Sequence, residues 1–356
     1  MRTHIPKDDI SVIIQLSGHE IRQFLSTANP EDFRGEAKSA VALYRKDPNL
    51  FTDKHLIGYG TNIEQAINHP MRMEVRHVTG YGAAQVVAKG VWGAVLRQEV
   101  IKKIRTELSL VDKQIEVRLA GTSSFEFNVK GVNKSCSIRF LRHTWSEVLD
   151  QMNYTAGAHV DSRKTNTIIV ADGDGTIYDG PKAGHDLPTM AKSPARDALI
   201  AWLEAGGIFM LNSGNELERN VFRLKDGIPA HLFNRILVCG NGGADLVCFD
   251  ANQKPIWVKG FSDLALNKLE PKHALDIVYI GDDGSEDGND WAAFKEVGVE
   301  RSVLVSRDFK RNYDAGLRTG YVGHLVRGTK RYLEIATLKA KNNRRGKAFL
   351  SAWAVT

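Results

Sequence analysis

Two aspartates that follow an apolar segment are the residues of this sequence best suited to chemistry. Asp172 and Asp174 stand two residues apart within TNTIIVADGDGTIYDG, residues 165–180. The continuous apolar run before them predicts a strand covered on both faces, and the two glycines of DGDG allow a close turn after it. Burying paired carboxylates without a cation costs several kcal/mol, so the pair indicates a Mg²⁺ site. The alternative is a solvated Asp/Gly turn, because short patterns of this kind are common.

A second group of carboxylates follows another apolar strand. DIVYI at 276–280 is followed by GDDGSEDGND at 281–290. Mg²⁺ takes oxygen ligands and commonly uses one or two carboxylates together with phosphate oxygens. Asp282, the first acid after the strand, is the best ligand candidate, and the acids that compete for the outer position are Asp283, Glu286, Asp287 and Asp290. A solvated loop that caps the following helix is the alternative.

A third polar loop lies between these two in the sequence. GIFMLNSGN at 207–215 predicts a strand that ends at Ser213, whose hydroxyl could hold a phosphate oxygen, and Gly214 and Asn215 follow as candidate substrate contacts. The preceding stretch, 193–206, has the pattern of a helix, so the order strand, helix, strand predicts a parallel sheet. Ligands of such sheets bind beyond the carboxyl ends of the strands, where all three loops would meet.

These motifs resemble those of the haloacid dehalogenase superfamily of phosphatases. The resemblance rests on DxDGT at 172–176, on the strand that ends at Ser213 and on GDD at 281–283, and it covers roughly residues 165–325. It is closest to the sugar-phosphatase branch, the trehalose-phosphate phosphatase and Cof-type groups. It implies an α/β fold, with a Rossmannoid parallel sheet covered by helices on both faces.

The resemblance also implies roles for individual residues. Asp172 would be the nucleophile that forms an aspartyl-phosphate, Asp174 the general acid and base, and Ser213 a contact to a phosphate oxygen. The cofactor would be Mg²⁺. The acids assigned to the metal are Asp172, Asp174, Asp282, Asp283, Asp287 and Asp290.

Members of the superfamily further use a lysine that binds phosphate, for which this sequence offers several candidates. Lys259, which opens the candidate helix GFSDLALNKL, is favoured as the catalytic lysine, while Lys268 and Lys272 are nearer to Asp282. Lys134 is the alternative, as a substrate-binding residue. Its segment FEFNVKGVNKSCSIRFL, at 125–141, resembles the one that carries the lysine at the end of a cap. Under that alternative the chain is a rearranged or partly duplicated phosphatase.

The length of 356 residues exceeds the usual limit of a single core and predicts two domains followed by a tail. Residues 1–162 mix helical and strand-like signals and are expected to form a separate α+β domain that serves as a cap. Residues 163–330 would be the catalytic domain, and 331–356 a basic C-terminal tail or helix. Residues 178–192 are expected to form a flap beside the catalytic loop.

The composition is that of ordinary soluble globular proteins, with 42% hydrophobic and 25% charged residues. No apolar stretch approaches a membrane span, and the N-terminus lacks the apolar core of a signal peptide. Three cysteines without metal-ligand spacing indicate reduced thiols and a cytoplasmic location. The net charge of +6 is concentrated in 327–347, where aromatic residues for base stacking are sparse, so nucleic-acid binding is not favoured.

These observations predict a Mg²⁺-dependent phosphatase that hydrolyses a small phosphomonoester, for which sugar phosphates are the first class to test. A phosphomutase or phosphotransferase of the same superfamily is the alternative within enzymes. A protein of a different class, an effector that binds a macromolecule through its N-terminal domain and basic tail, is the other alternative. The sequence leaves the substrate and the oligomeric state open.

Overall fold

The structure is a computed structural model. It describes residues 12–16, 18–33, 35–48, 59–63, 72–75, 78–80, 99, 102–103, 106, 115–120, 124–129, 133–156, 167–179, 187–240, 242–243, 245–250, 252–258, 269–284, 288–306, 320–321 and 325–342. The chain divides into two compact units, Met1–Gly131 and Val132–Thr356.

The described part of the first unit contains two three-stranded antiparallel sheets and the helices Gly18–Thr27 and Gly35–Lys46. One sheet has the order β1-β2-β4 and the other the order β3-β6-β5. Helices α1 and α2 contact each other, with Leu25 and Val41 fully buried. The elements are β1 (Val12–Leu16), α1 (Gly18–Thr27), α2 (Gly35–Lys46), β2 (Tyr59–Ile63), β3 (Arg72–Val75), β4 (Val78–Gly80), β5 (Ile115–Ala120) and β6 (Ser124–Val129).

An eight-stranded, mostly parallel sheet forms the centre of the second unit. The elements described there are α3 (Ser135–Ala156), β7 (Thr167–Ala171), α4 (Arg196–Glu204), β8 (Ile208–Asn212), α5 (Leu217–Lys225), β9 (Ile236–Gly240), β10 (Asp245–Phe249), β11 (Pro255–Trp257), β12 (Asp276–Gly281), α6 (Trp291–Val297), β13 (Ser302–Leu304), β14 (Gly320–Tyr321) and α7 (Val326–Asn342).

The strand order is β11-β10-β9-β8-β7-β12-β13-β14. The six strands from β9 to β14 in this order run parallel, β10 pairs antiparallel with β9, and β11 pairs antiparallel with β10. The prediction of an α/β fold with a parallel sheet is therefore confirmed at this level. Strands β7, β8 and β12, which carry the motifs, are neighbours at the centre of the sheet.

Alternate residues of the central strands face different helices, which explains their continuous apolar sequences. Ile169, Phe209 and Val278 belong to a buried cluster shared with α4 and α7. Tyr279, the next residue along β12, faces the other way, and its ring packs edge to face on Phe294 of α6, with 5.1 Å between centroids. A strand buried on both faces loses the polar alternation that a half-exposed strand would show.

Helix α3 belongs to the second unit, so the boundary lies at 131/132 and differs from the expected division at 162. The helix contacts α6 and β10, and Ile138, Phe140 and Leu141 are fully buried. It is kinked at Thr144, whose φ and ψ of −121° and 20° are not helical. An amphipathic helix has the same sequence pattern whichever neighbouring domain covers its apolar face, so the pattern alone could not assign α3.

The expected tail begins inside a packed helix. Residue 330 lies within α7, which contacts α4 and buries Leu333 and Ala336. The basic residues of this segment therefore start on the outer side of a core helix, and 343–356 lie outside the described residues. No helix in the described part of the chain combines the length and apolar character that crossing a membrane requires.

Candidate functional site

The three polar loops predicted from the sequence meet at one edge of the sheet. Asp172 follows β7, Ser213 follows β8, and Asp282 follows Gly281 at the end of β12. These strands are adjacent and parallel, so their carboxyl ends open on the same side. The backbone N–H of Asp172 donates to the carbonyl of Ile280 over 2.9 Å, which extends the ladder between β7 and β12 up to the loops.

Three carboxylates converge at this edge. Asp172, Asp282 and Asp290 each offer an oxygen, and these oxygens all lie within 4.8 Å of one another. We call these three residues the acidic cluster. Asp174 and Asp283, which were also expected at the metal, are not members of this cluster as the described residues define it.

Glycines let the cluster form against the backbone. A Cβ on Gly175, whose φ of +81° is left-handed, would lie 2.3 Å from Oδ2 of Asp282. A Cβ on Gly281 would likewise lie 2.5 Å from Oδ2 of Asp290. Both contacts are closer than any side chain allows. The glycine of the DxDGT motif is therefore required for the approach of Asp282 as well as for the turn.

A buried lysine joins two members of the acidic cluster. The Nζ of Lys134 lies 2.5 Å from Oδ1 of Asp172 and 2.7 Å from Oδ1 of Asp290. Lys134 is 2% exposed. Burial lowers the pKa of this lysine, but the attraction of Asp172 and Asp290 outweighs burial and the net direction is upward. The side chain is therefore held as an ammonium ion between the two carboxylates.

Three further donors fix the carboxylate of Asp290. The hydroxyl of Tyr279 donates to Oδ1 over 2.7 Å, and the backbone N–H groups of Asp282 and Asp283 donate to Oδ2 over 3.1 and 3.2 Å. Asp290 therefore orders the acidic loop and also holds the ammonium of Lys134 in place. Tyr279 was missed by sequence reasoning, although the phenol of a tyrosine in a buried strand requires a polar partner.

The acidic cluster carries more negative charge than Lys134 balances. Burial raises the pKa of Asp172 to about 7, against the opposing effect of Lys134. Burial, together with the charges of Asp172 and Asp290, raises the pKa of Asp282 well above its usual range. A second cation would reduce the repulsion among the carboxylates, and carboxylate oxygens are ligands that Mg²⁺ takes. The residues present therefore fit the expected metal.

Asp174 lies on the same loop but has different partners. Its Oδ1 accepts from Nη2 of Arg223 over 2.6 Å, and its Oδ2 accepts from Nδ2 of Asn215 over 3.0 Å. Arg223 is fully buried, donates from Nε to the carbonyl of Pro188, and lies 3.9 Å from the ring centroid of Tyr178. Arg223 was not foreseen, because in sequence it is one basic residue near the end of an amphipathic helix.

Ser213 lies beside the loop that follows β7. Its Oγ accepts from the backbone N–H and from Nδ2 of Asn215, both over 3.2 Å. A Cβ on Gly173 would lie 3.1 Å from this oxygen, so the hydroxyl faces the turn between Asp172 and Asp174. Gly214 joins Ser213 to Asn215 in the same loop. The structure thus brings the predicted phosphate contacts of 213–215 next to both aspartates.

The structure separates the lysine candidates. Lys134 lies at the cluster, whereas Lys272 is exposed and precedes β12, at the opposite edge of the sheet from the carboxyl ends. Lys272 is therefore excluded as a candidate for the phosphate-binding lysine, because the length of β12 separates it from Asp282. The remaining candidates that lie outside the described residues are Lys259, Lys268, Glu286 and Asp287, together with the central part of the expected flap, 180–186.

Comparisons with known proteins gave no match for this chain among protein-family models, curated proteins or solved structures.

Proposed function

We propose that this chain is a Mg²⁺-dependent phosphatase of the haloacid dehalogenase type that hydrolyses a small phosphomonoester through an aspartyl-phosphate at Asp172. The observation that carries the proposal is the buried arrangement of Asp172, Lys134 and Asp290, with Asp282 beside it. A carboxylate, an ammonium ion and a second pair of carboxylates at the mouth of a parallel sheet suit the transfer of a phosphoryl group to a side chain.

Charge neutralisation is the first requirement of this reaction, because a carboxylate nucleophile and a phosphate dianion repel each other. Lys134 places one positive charge at the nucleophile, on Oδ1 of Asp172. The acidic cluster would hold Mg²⁺, which supplies further positive charge for the phosphoryl oxygens. Ser213 and the amide of Asn215 are placed to donate to a phosphoryl oxygen once a substrate displaces their mutual hydrogen bond.

The chemistry then takes two displacements. An oxygen of Asp172 forms a bond to phosphorus while the bond from phosphorus to the leaving oxygen breaks, and Asp174 gives that oxygen a proton. Water next attacks phosphorus, Asp174 takes a proton from it, and the bond from phosphorus to Asp172 breaks. The products are the alcohol and inorganic phosphate, and both aspartates return to their starting states.

The position of Lys134 supports a rearranged order of motifs. It precedes α3 and β7, so the lysine segment comes before the nucleophile in the chain and reaches the site through the packing of α3. This supports the alternative in which Lys134, rather than Lys259, is the phosphate-binding lysine.

The test is the substitution Asp172→Asn, assayed on a panel of phosphomonoesters, with sugar phosphates first. We expect Mg²⁺-dependent release of inorganic phosphate by the native protein and its loss in the variant, with an unchanged circular dichroism spectrum. Asp197→Asn is the matched control, because the side chain of Asp197 is 86% exposed on α4. Mg²⁺-dependent turnover by Asp172→Asn would remove the nucleophile assignment, and transfer of the phosphoryl group to a sugar instead of water would indicate a mutase.

A further inference from the structure

We propose that Asn212 is a positioning residue whose side chain fixes the backbone of Lys134 and thereby holds the lysine ammonium at the acidic cluster. This inference rests on the proposed function, because that function depends on Lys134 and the inference identifies the residue that positions it.

The geometry is a direct link between a central strand and the lysine segment. Asn212 is the last residue of β8 and is fully buried. Its Nδ2 donates to the carbonyl of Lys134 over 2.8 Å and to Oγ of Ser137 over 3.0 Å. Ser137 in turn donates from Oγ to the same carbonyl over 3.1 Å. The Lys134 carbonyl therefore accepts two hydrogen bonds from side chains at the base of the site.

Lys134 needs such a support because of the path that the chain takes. It precedes the first residue of α3, a helix of 22 residues, and the connection to β7 leaves from the other end of that helix. The covalent link to the catalytic strand therefore does not fix the lysine. Asn133 caps the helix by accepting from the backbone N–H of Ser135 over 2.9 Å, which sets the start of the helix but not its register on the sheet.

Displacement of the Lys134 ammonium from the acidic cluster should change the affinities for phosphate and for Mg²⁺ in opposite directions. General damage to the fold would not do so. The ammonium attracts a phosphate anion and opposes the binding of a divalent cation by the same carboxylates. Its withdrawal therefore weakens phosphate binding and strengthens Mg²⁺ binding. A variant that is merely less well folded loses affinity for both ligands.

The experiment measures two affinities by calorimetry on the full chain: Mg²⁺ alone, and inorganic phosphate at saturating Mg²⁺. Asn212→Leu keeps the number and branching of the side-chain heavy atoms and removes the donor, and Asn212→Ser shortens the side chain. For each we expect phosphate binding weaker by about three- to tenfold, the range of one net hydrogen bond, and Mg²⁺ binding stronger than in the native protein. Lys134→Met should weaken phosphate binding and strengthen Mg²⁺ binding by larger factors.

The matched control is Asn234→Leu, the same substitution at another buried asparagine, which precedes β9 at the opposite edge of the sheet. It should leave both affinities unchanged. Folded Asn212 variants with native affinities, or with both affinities reduced together, would overturn the role of Asn212. If both variants fail to fold, Ser137→Ala, which removes one of the two donors to the Lys134 carbonyl, must show the opposed changes or the inference falls. A native protein that binds neither ligand would instead overturn the proposed function.

Discussion

Lys134 and Asp290 stand 156 positions apart in the sequence and form a buried ion pair, with 2.7 Å between Nζ and Oδ1. The same ammonium contacts Asp172, so one side chain joins the segment before α3, the loop after β7 and the loop after β12. Three segments that are distant in the sequence therefore meet at the site for which we propose phosphatase activity.

Removal of the lysine should expose the charge imbalance of the acidic cluster. Lys134→Met leaves buried carboxylates without their partner, so we expect the metal-free protein to lose about 3–5 kcal/mol of unfolding free energy. Denaturant titration measures this loss, and Mg²⁺ should recover part of it. Phosphatase turnover should be abolished. Lys272→Met, at an exposed lysine, should change neither quantity. Native stability of Lys134→Met without Mg²⁺ would contradict the buried ion pair.

The position of the domain boundary can be tested by truncation. A chain of residues 132–356 keeps α3 and Lys134, so we expect it to fold and to retain Mg²⁺-dependent hydrolysis of a small phosphomonoester. A chain of residues 163–356 lacks the lysine and uncovers the apolar surface that α3 buries, so we expect no activity and poor solubility. Circular dichroism and phosphate release measure the two outcomes. Activity of the shorter chain would show that α3 and Lys134 are dispensable.

The stability of the metal-free protein should depend on pH through the acidic cluster. The pKa of Asp172 is raised from 3.8 to about 7 in the folded protein, so folding favours its protonated form. This contribution to stability is complete below the ordinary pKa and is lost as the pH rises through about 7. Mg²⁺ binds the ionised carboxylates, so the increase in melting temperature that it causes should be larger at pH 8 than at pH 5.

Asp172→Asn provides the comparison for this pH effect, because it removes the titrating group. Its metal-free melting temperature should fall less between pH 5 and pH 8 than that of the native protein. An equal stabilisation by Mg²⁺ at both pH values would show that the cluster does not bind the ion through carboxylates of raised pKa.

Gly175 and Gly298 form a matched pair of positions for testing the metal site. Both have positive φ values, +81° and +83°, so alanine at either position should cost about 1–3 kcal/mol through backbone strain. A Cβ at Gly175 meets the Asp282 carboxylate, whereas a Cβ at Gly298 meets nothing within 4 Å. We therefore expect Gly175→Ala to weaken Mg²⁺ binding and Gly298→Ala to leave it unchanged. Equal Mg²⁺ affinities in the two variants would place Asp282 outside the metal site.

Some of this site was determined by the sequence alone. The apolar runs before Asp172, Ser213 and Asp282 predicted three parallel strands, and each polar residue was placed at a strand end. These predictions succeeded because they depend on local information: a strand covered by helices on both faces must be continuously apolar, and parallel strands end at a common edge. The choice of Asp290 among the acids of its loop was left open, since the shape of a loop is not encoded in its spacing.

Only the tertiary structure brought Lys134 to the acidic cluster. The sequence favoured Lys259, because it opens a candidate helix at a plausible spacing before Asp282, and it placed the domain boundary after α3. The packing of α3 on α6 and β10 instead carries Lys134 to Asp172, and Asn212, Tyr279 and Arg223 take their roles from contacts across strands and helices. Such contacts join residues that are far apart in the chain. They depend on which apolar faces pack against each other, and this packing is determined by the free energy of the whole unit. A local sequence pattern does not contain that information.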